Sequence, residues 1–226
     1  MRWIRRPAGD AVSVRIRVSS LVLVLALGGS AGCVRLTEAR PSDSADANGV
    51  PSGAAGQLLD QLNVRPDGSM AGYSRDRFAH WRRVGRGCDI RDSVLRRDAA
   101  SVRSDGCNVI GGRWLSSYDR VTVTKVEEVD IDHMVPLANA WRTGAAQWND
   151  GRRSDFANDL TRPQLIAVTR SSNRAKGDQN PAQWKPPNKE LWCEYAQDWI
   201  TVKRHWRLSV TAAEKRALGA MLETCR

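Results

Sequence analysis

Apolar and polar positions alternate over Val129-Asp130-Ile131-Asp132, which predicts a short strand with two valine-type side chains on one face and two aspartates on the other. His133 follows, and Pro136, lacking a backbone donor, ends the pattern. A second apolar run, Leu165-Ile166-Ala167-Val168, predicts another strand, after which Ser171 is placed to cap a short helix carrying Asn173 and Lys176. Residues 128–178 therefore read as strand, long connection, strand, short helix. Within the connection, Pro136 to Ala146 opens a helix with Leu137, Trp141 and Ala145 on one face, and Gly151 to Ser154 is expected as a loop.

The flanks are mainly helical. Trp192, Tyr195, Trp199 and Val202 recur at three- and four-residue spacing in a helix from about Lys189. That periodicity favours a core-facing stripe over a platform for stacking bases. Thr211 and Glu214 form a capping box for a last helix with Ala217, Leu218, Met221 and Leu222 inward. Upstream, GQLLDQLNV at 56–64 predicts a short helix, and DIRDSVLRRDAASV predicts another near Cys88. The stretch from Asn108 to Glu128 is hairpin material, with Gly111-Gly112 and Ser116 to Asp119 as turns. Glu127 and Glu128 read as a solvated strand edge, and His80, set among Phe78 and Trp81, as a packed structural residue. The class is α+β, a small strand–strand–helix core embedded in a mainly helical domain.

Composition adds a leader and a charge. Residues 1–33 combine Arg2, Arg5 and Arg6, an apolar core from Leu21 to Leu27, and small residues from Gly28 to Gly32, the layout of an export signal. The apolar run is too short for a membrane span. Gly32-Cys33 resembles a bacterial lipobox, with Ser30 as the departure, so Cys33 is the candidate for lipidation and membrane anchoring, against ordinary cleavage. Residues 34–55 hold few large apolar groups and read as a flexible linker; 56–226 is the folded domain. The chain carries 35 Lys and Arg against 25 Asp and Glu, a net +10, which suits a polyanionic partner. Cys88, Cys107, Cys193 and Cys225 form an even set that points to disulfides in an exported chain, with three connectivities open.

The chemistry gathers in the core stretch. Asp132 and Asn173 are hard oxygen donors suited to Mg²⁺, with Mn²⁺ as the alternative. His133 is placed to take a proton from water. Lys176, one helical turn after Asn173, would hold a phosphate. Metal, base and cation at one point match the needs of phosphodiester hydrolysis, in which charge builds on the phosphoryl and leaving oxygens.

The segments DIDHMVPLANAWRTGA (130–145), FANDL (156–160) and NRAKGD (173–178) resemble the HNH, or His-Me finger, nucleases with a ββα-metal core. The closer similarity is to secreted bacterial proteins related to the C-terminal domain of GmrSD-type restriction enzymes. That resemblance implies His133 as general base, Asp132 and Asn173 as metal ligands, and Asn158 as the residue anchoring the connecting loop. Together with proximity along the chain, it favours the pairings Cys88–Cys107 and Cys193–Cys225. The chain departs from the HNH name in ending on asparagine, and it lacks paired CxxC knuckles. The implied activity is an exported, metal-dependent endonuclease acting on DNA ahead of RNA, with Arg152, Arg153, Arg162, Arg170 and Arg174 as candidate phosphate contacts. The rival reading is a nucleic-acid-binding or envelope-tethered interaction protein without catalysis.

Overall fold

The computed structural model describes residues 52–85 and 87–225. The leader, Cys33 and the linker up to residue 51 lie outside the described residues. The first helix, α1 (Ser52–Asp60), begins inside the span expected as linker and buries Ala55 and Leu59. Asp89 caps α2 (Ile90–Asp98) through a capping box with Asp92. This helix is shorter than its sequence predicts: Ala99 is already extended, and the chain runs directly into β1 (Ala99–Asp105). β1 pairs antiparallel with β2 (Asn108–Leu115), and β3 (Thr122–Val123) completes a three-stranded sheet.

Gly111 and Gly112 are not turn residues. They lie inside β2 opposite Arg103 and Val102, and a Cβ on Gly112 would stand 2.6 Å from the Ser101 carbonyl oxygen and 2.6 Å from the Trp114 ring. The glycine pair permits a close backbone approach that local sequence signals do not distinguish from a turn.

β4 (Val129–His133) pairs antiparallel with β5 (Leu165–Thr169), placing Ile131 opposite Ala167 and Asp132 opposite Ile166. The connection holds α3 (Leu137–Arg142), a single 3-10 turn at Ala145–Gln147 and α4 (Asp150–Ala157). Residues 151–154, expected as a loop, are helical because Asn149 accepts a hydrogen bond from the Arg152 amide and caps α4. α5 (Arg170–Lys176) follows β5 without a gap. Its cap is Thr169, not Ser171, and Gly177 ends it at φ +54°. A 3-10 turn at Lys189–Leu191 leads into α6 (Trp192–Trp206), and α7 (Ala212–Leu222) carries the expected Thr211–Glu214 capping box.

Two apolar cores lie on either side of β4–β5. Val129, Ile131, Leu165 and Ala167 pack with Ile90, Val94, Leu95 and Trp114 of α2 and β2. Met134, Val135 and Val168 join the larger core of Trp141, Phe156, Tyr195, Trp199 and Val202. The α6 stripe is thus a packing face, and full burial of so many large side chains supplies most of the stabilisation. Disulfides Cys88–Cys107 and Cys193–Cys225 tie the α2 entry to the β1–β2 turn and α6 to the end of the chain. The architecture is α+β. Among the described residues no helix is long and apolar enough to cross a membrane.

Candidate active site

Strand alternation sends Val129 and Ile131 into one core, so Asp130 and Asp132 meet α5 on the other face. Asn173 donates from Nδ2 to Asp130 Oδ2 at 2.9 Å. One turn later Lys176 Nζ contacts both Asp132 oxygens, 2.9 Å from Oδ1 and 2.8 Å from Oδ2, and donates to the His133 carbonyl at 2.8 Å. Tyr118 donates its hydroxyl to Asp132 Oδ2 at 2.6 Å. Burial raises the Asp132 carboxyl and lowers the Lys176 ammonium from their ordinary values, and their mutual contact opposes both effects.

Lys176 is therefore placed differently from its expected role. It is 0 % exposed and does not line the cleft beside it, so its charge is spent on Asp132 and not offered to a phosphate. Tyr118 was not predicted as part of this arrangement. It lies in a turn, and only its long-range contact with Asp132 marks it.

His133 is buried at the end of β4, and its Nε2 lies 3.0 Å from the Ala157 carbonyl oxygen. A carbonyl can only accept, so Nε2 carries the proton and Nδ1 is left as the basic nitrogen. The Trp81 ring sits 5.9 Å away at an interplanar angle of 31°, and His80 meets the same imidazole edge-on at 6.4 Å. Burial lowers the imidazole from 6.5 to about 3, so it stands neutral at ordinary pH.

This has a stability consequence. Between 6.5 and about 3 the unfolded chain binds a proton at His133 that the folded chain refuses. The stabilisation is complete above the higher value and is lost as pH falls. The expected loss from this group is roughly 2 kcal/mol between pH 7 and pH 5. Urea melts of the wild type and of His133→Asn across that interval check it: the variant should show the shallower pH dependence, and equal slopes would remove His133 as the cause.

Asp132, His133, Asn173, Arg174 and Asp178 line a cleft of about 310 Å³, together with Tyr73 and Arg75. Asn158 lies behind it, at the end of α4. Its Nδ2 donates to the Ala79 carbonyl at 2.8 Å and its Oδ1 accepts from the Arg82 amide at 2.9 Å, so it ties the α4 end to residues 79–82. Of the candidate arginines, only Arg174 lines the cleft. Arg152 lies over the Trp148 ring, Arg153 is buried and pairs with Asp150, Arg162 hydrogen-bonds Thr161, and Arg170 lies 3.9 Å from Asp130. Sequence reasoning passed over Arg75, which stands in a polar stretch with no periodic signal.

Residues 89–221 match the family described as GmrSD restriction endonucleases, C-terminal domain. The chain belongs to this family. Membership makes nuclease the activity class and nucleic acid the general substrate class. This GmrSD C-terminal domain protein is also 53% identical over 178 residues to an uncharacterized secreted protein of Arthroderma benhamiae (strain ATCC MYA-4681 / CBS 112371), covering 78% of this chain and 87% of the relative. That relative is fungal, so similarity of this kind is not confined to the bacterial proteins expected from sequence. Its secreted character and the two disulfides here both fit export. No solved structure matches the chain.

Proposed function

We propose that the protein is an exported, metal-dependent endonuclease of the HNH type that hydrolyses phosphodiester bonds, DNA ahead of RNA. The observation that carries the reading is the geometry of His133: an imidazole whose Nε2 is committed to the Ala157 carbonyl, on the wall of a cleft shared with Asp132 and Asn173. The strand–strand–helix order of β4, β5 and α5 supports a ββα-metal core.

The donor set suits a hard cation. Asp132 and Asn173 line one cleft, and Asn173 Oδ1 has no hydrogen-bond donor among the described residues. No group of three or more His, Cys, Asp or Glu side chains forms a cage among those residues, and a cation held by two protein oxygens with water for the remainder is the arrangement Mg²⁺ favours. Asp132 and Asn173 would hold the ion, Asp132 through lone pairs left over by Lys176 and Tyr118, which already engage both of its oxygens. Such an ion would supply stabilisation of the charge that builds on the phosphoryl group and leaving oxygen. His133 Nδ1 would accept a proton from water as the water oxygen bonds to phosphorus; the phosphorus–O3′ bond breaks and O3′ takes up a proton from solvent, leaving a 3′-hydroxyl and a 5′-phosphate. Export is supported by the leader-like sequence, the disulfides and the secreted relative; anchoring through a lipidated Cys33 extends that proposal.

The test uses residues 34–226 produced under disulfide-forming conditions and incubated with plasmid in Mg²⁺, Mn²⁺ or EDTA. Nicking and linearisation are expected with either metal and should cease in EDTA. Cleavage that persists in EDTA would sink the metal requirement. Retention of plasmid by a folded protein, without cleavage in any metal, would instead favour a binding module.

A further inference from the structure

The cleft is completed by a segment that the family match does not include. The match begins at residue 89, yet Tyr73 and Arg75 line the same cleft as Asn173 and Arg174. This segment is firmly built into the fold. Phe78 is fully buried and meets Trp141 and Phe156 edge-on. Asn158 and Ser154 hold the Ala79 carbonyl, and Asn158 holds the Arg82 amide. Ser74 caps a 3-10 turn at Arg75–Arg77, which presents Arg75 at the cleft.

The charges around the cleft are unequally matched. Asp132 is paired with Lys176, and Asp178 with Arg142 at 2.6 Å. Asp130, above the Asn173 amide, faces Arg170 at 3.9 Å. Arg77 is occupied by the Trp141 ring at 5.2 Å and by Asp150 at 4.0 Å. Arg75 and Arg174 are exposed, line the cleft and make no ion pair among the described residues. Two planar guanidiniums lining one cleft, beside carboxylates that already have cations, leave it with an excess of positive charge. Each guanidinium can present paired donors to the oxygens of a phosphodiester.

We propose that Arg75 and Arg174 bind backbone phosphates of the nucleic acid entering the cleft, so that the working domain begins before Tyr73 and not at the family boundary. They take the cationic role that the burial of Lys176 leaves open. The assignment rests on the nuclease reading and specifies how substrate is held.

Binding and cleavage are measured on the full chain with both disulfides formed. The probe is a fluorescent duplex oligonucleotide, titrated in EDTA at several salt concentrations, and then cleaved with Mg²⁺ present. Arg75→Ala and Arg174→Ala should each weaken binding roughly tenfold for unrelated sequences and lower the slope of log affinity against log salt by about 0.9. In cleavage the loss should fall on KM more than on kcat. Arg75→Lys should keep the salt slope and recover part of the affinity. Arg216→Ala, an exposed charge on α7 outside the cleft, removes the same net charge and should change little. Thermal melts should be unaltered, since these side chains are exposed. Wild-type binding and salt slope in both cleft variants, with cleavage intact, would overturn this assignment while leaving the nuclease reading standing. A wild-type protein that neither binds nor cuts the duplex would overturn both.

Discussion

His133→Ala should reduce metal-dependent plasmid cleavage by ~10²–10⁴-fold, the range removed with a positioned general base. Among the described residues the imidazole is the only histidine ring lining the cleft, and its proton is fixed on Nε2 by the Ala157 carbonyl. Of its two nitrogens Nδ1 is then the one available as a base, and among the described residues no other neutral nitrogen base lines the cleft. The fold should survive, because β4 is held by its ladder to β5 and by Val129 and Ile131 in the adjoining core. His133→Asn is the companion variant: it retains an amide N–H but offers no base, and should be as inactive as the alanine variant. Binding of an uncleaved oligonucleotide should remain near wild type in both. Residual cleavage within about tenfold of wild type in a folded variant would assign the base elsewhere.

Lys176→Met should be the most destabilising single change at the site. Asp132 and Lys176 have 4% and 0% exposed side chains, and Lys176 also donates to the His133 carbonyl. Removing the ammonium strands a buried carboxylate, a change that typically costs ~3–5 kcal/mol. Tyr118 alone would remain to donate to Asp132. The double variant Asp132→Asn with Lys176→Met removes both charges, and should recover part of the loss. Urea denaturation of the single and double variants measures this directly. A lysine serving mainly as a phosphate contact would give the opposite pattern: little change in the urea midpoint, with weaker substrate affinity.

Much of the candidate site is legible along the chain because its parts obey short-range rules. Alternation at 129–132 places both aspartates on one side of β4, and the three-residue step from Asn173 to Lys176 places both on one side of α5. The same rules mark the stripe of α6 and the cap of α7. They fail where a local signal has two readings. Glycines at 111–112 serve a turn as readily as the close backbone contact they make inside β2. A helix-forming run after Cys88 is cut at Asp98 because the following residues pair with β2. The DGRRS segment turns helical once Asn149 caps it.

The sequence by itself determined the strand–strand–helix order, the buried stripes, the even cysteine set and the candidacy of Asp132, His133 and Asn173, which the structure places in one cleft. Only the tertiary structure decided what each side chain does there. Lys176 reaches Asp132 across 44 positions, Tyr118 reaches it across 14, and Asn158 holds Arg82 across 76. Periodicity records which face of an element is buried, and it carries no information on which distant group meets that face. The fate of a charge follows from that meeting: Lys176 is paired inside the protein, while Arg75 and Arg174 stand exposed at the cleft with no ion pair among the described residues.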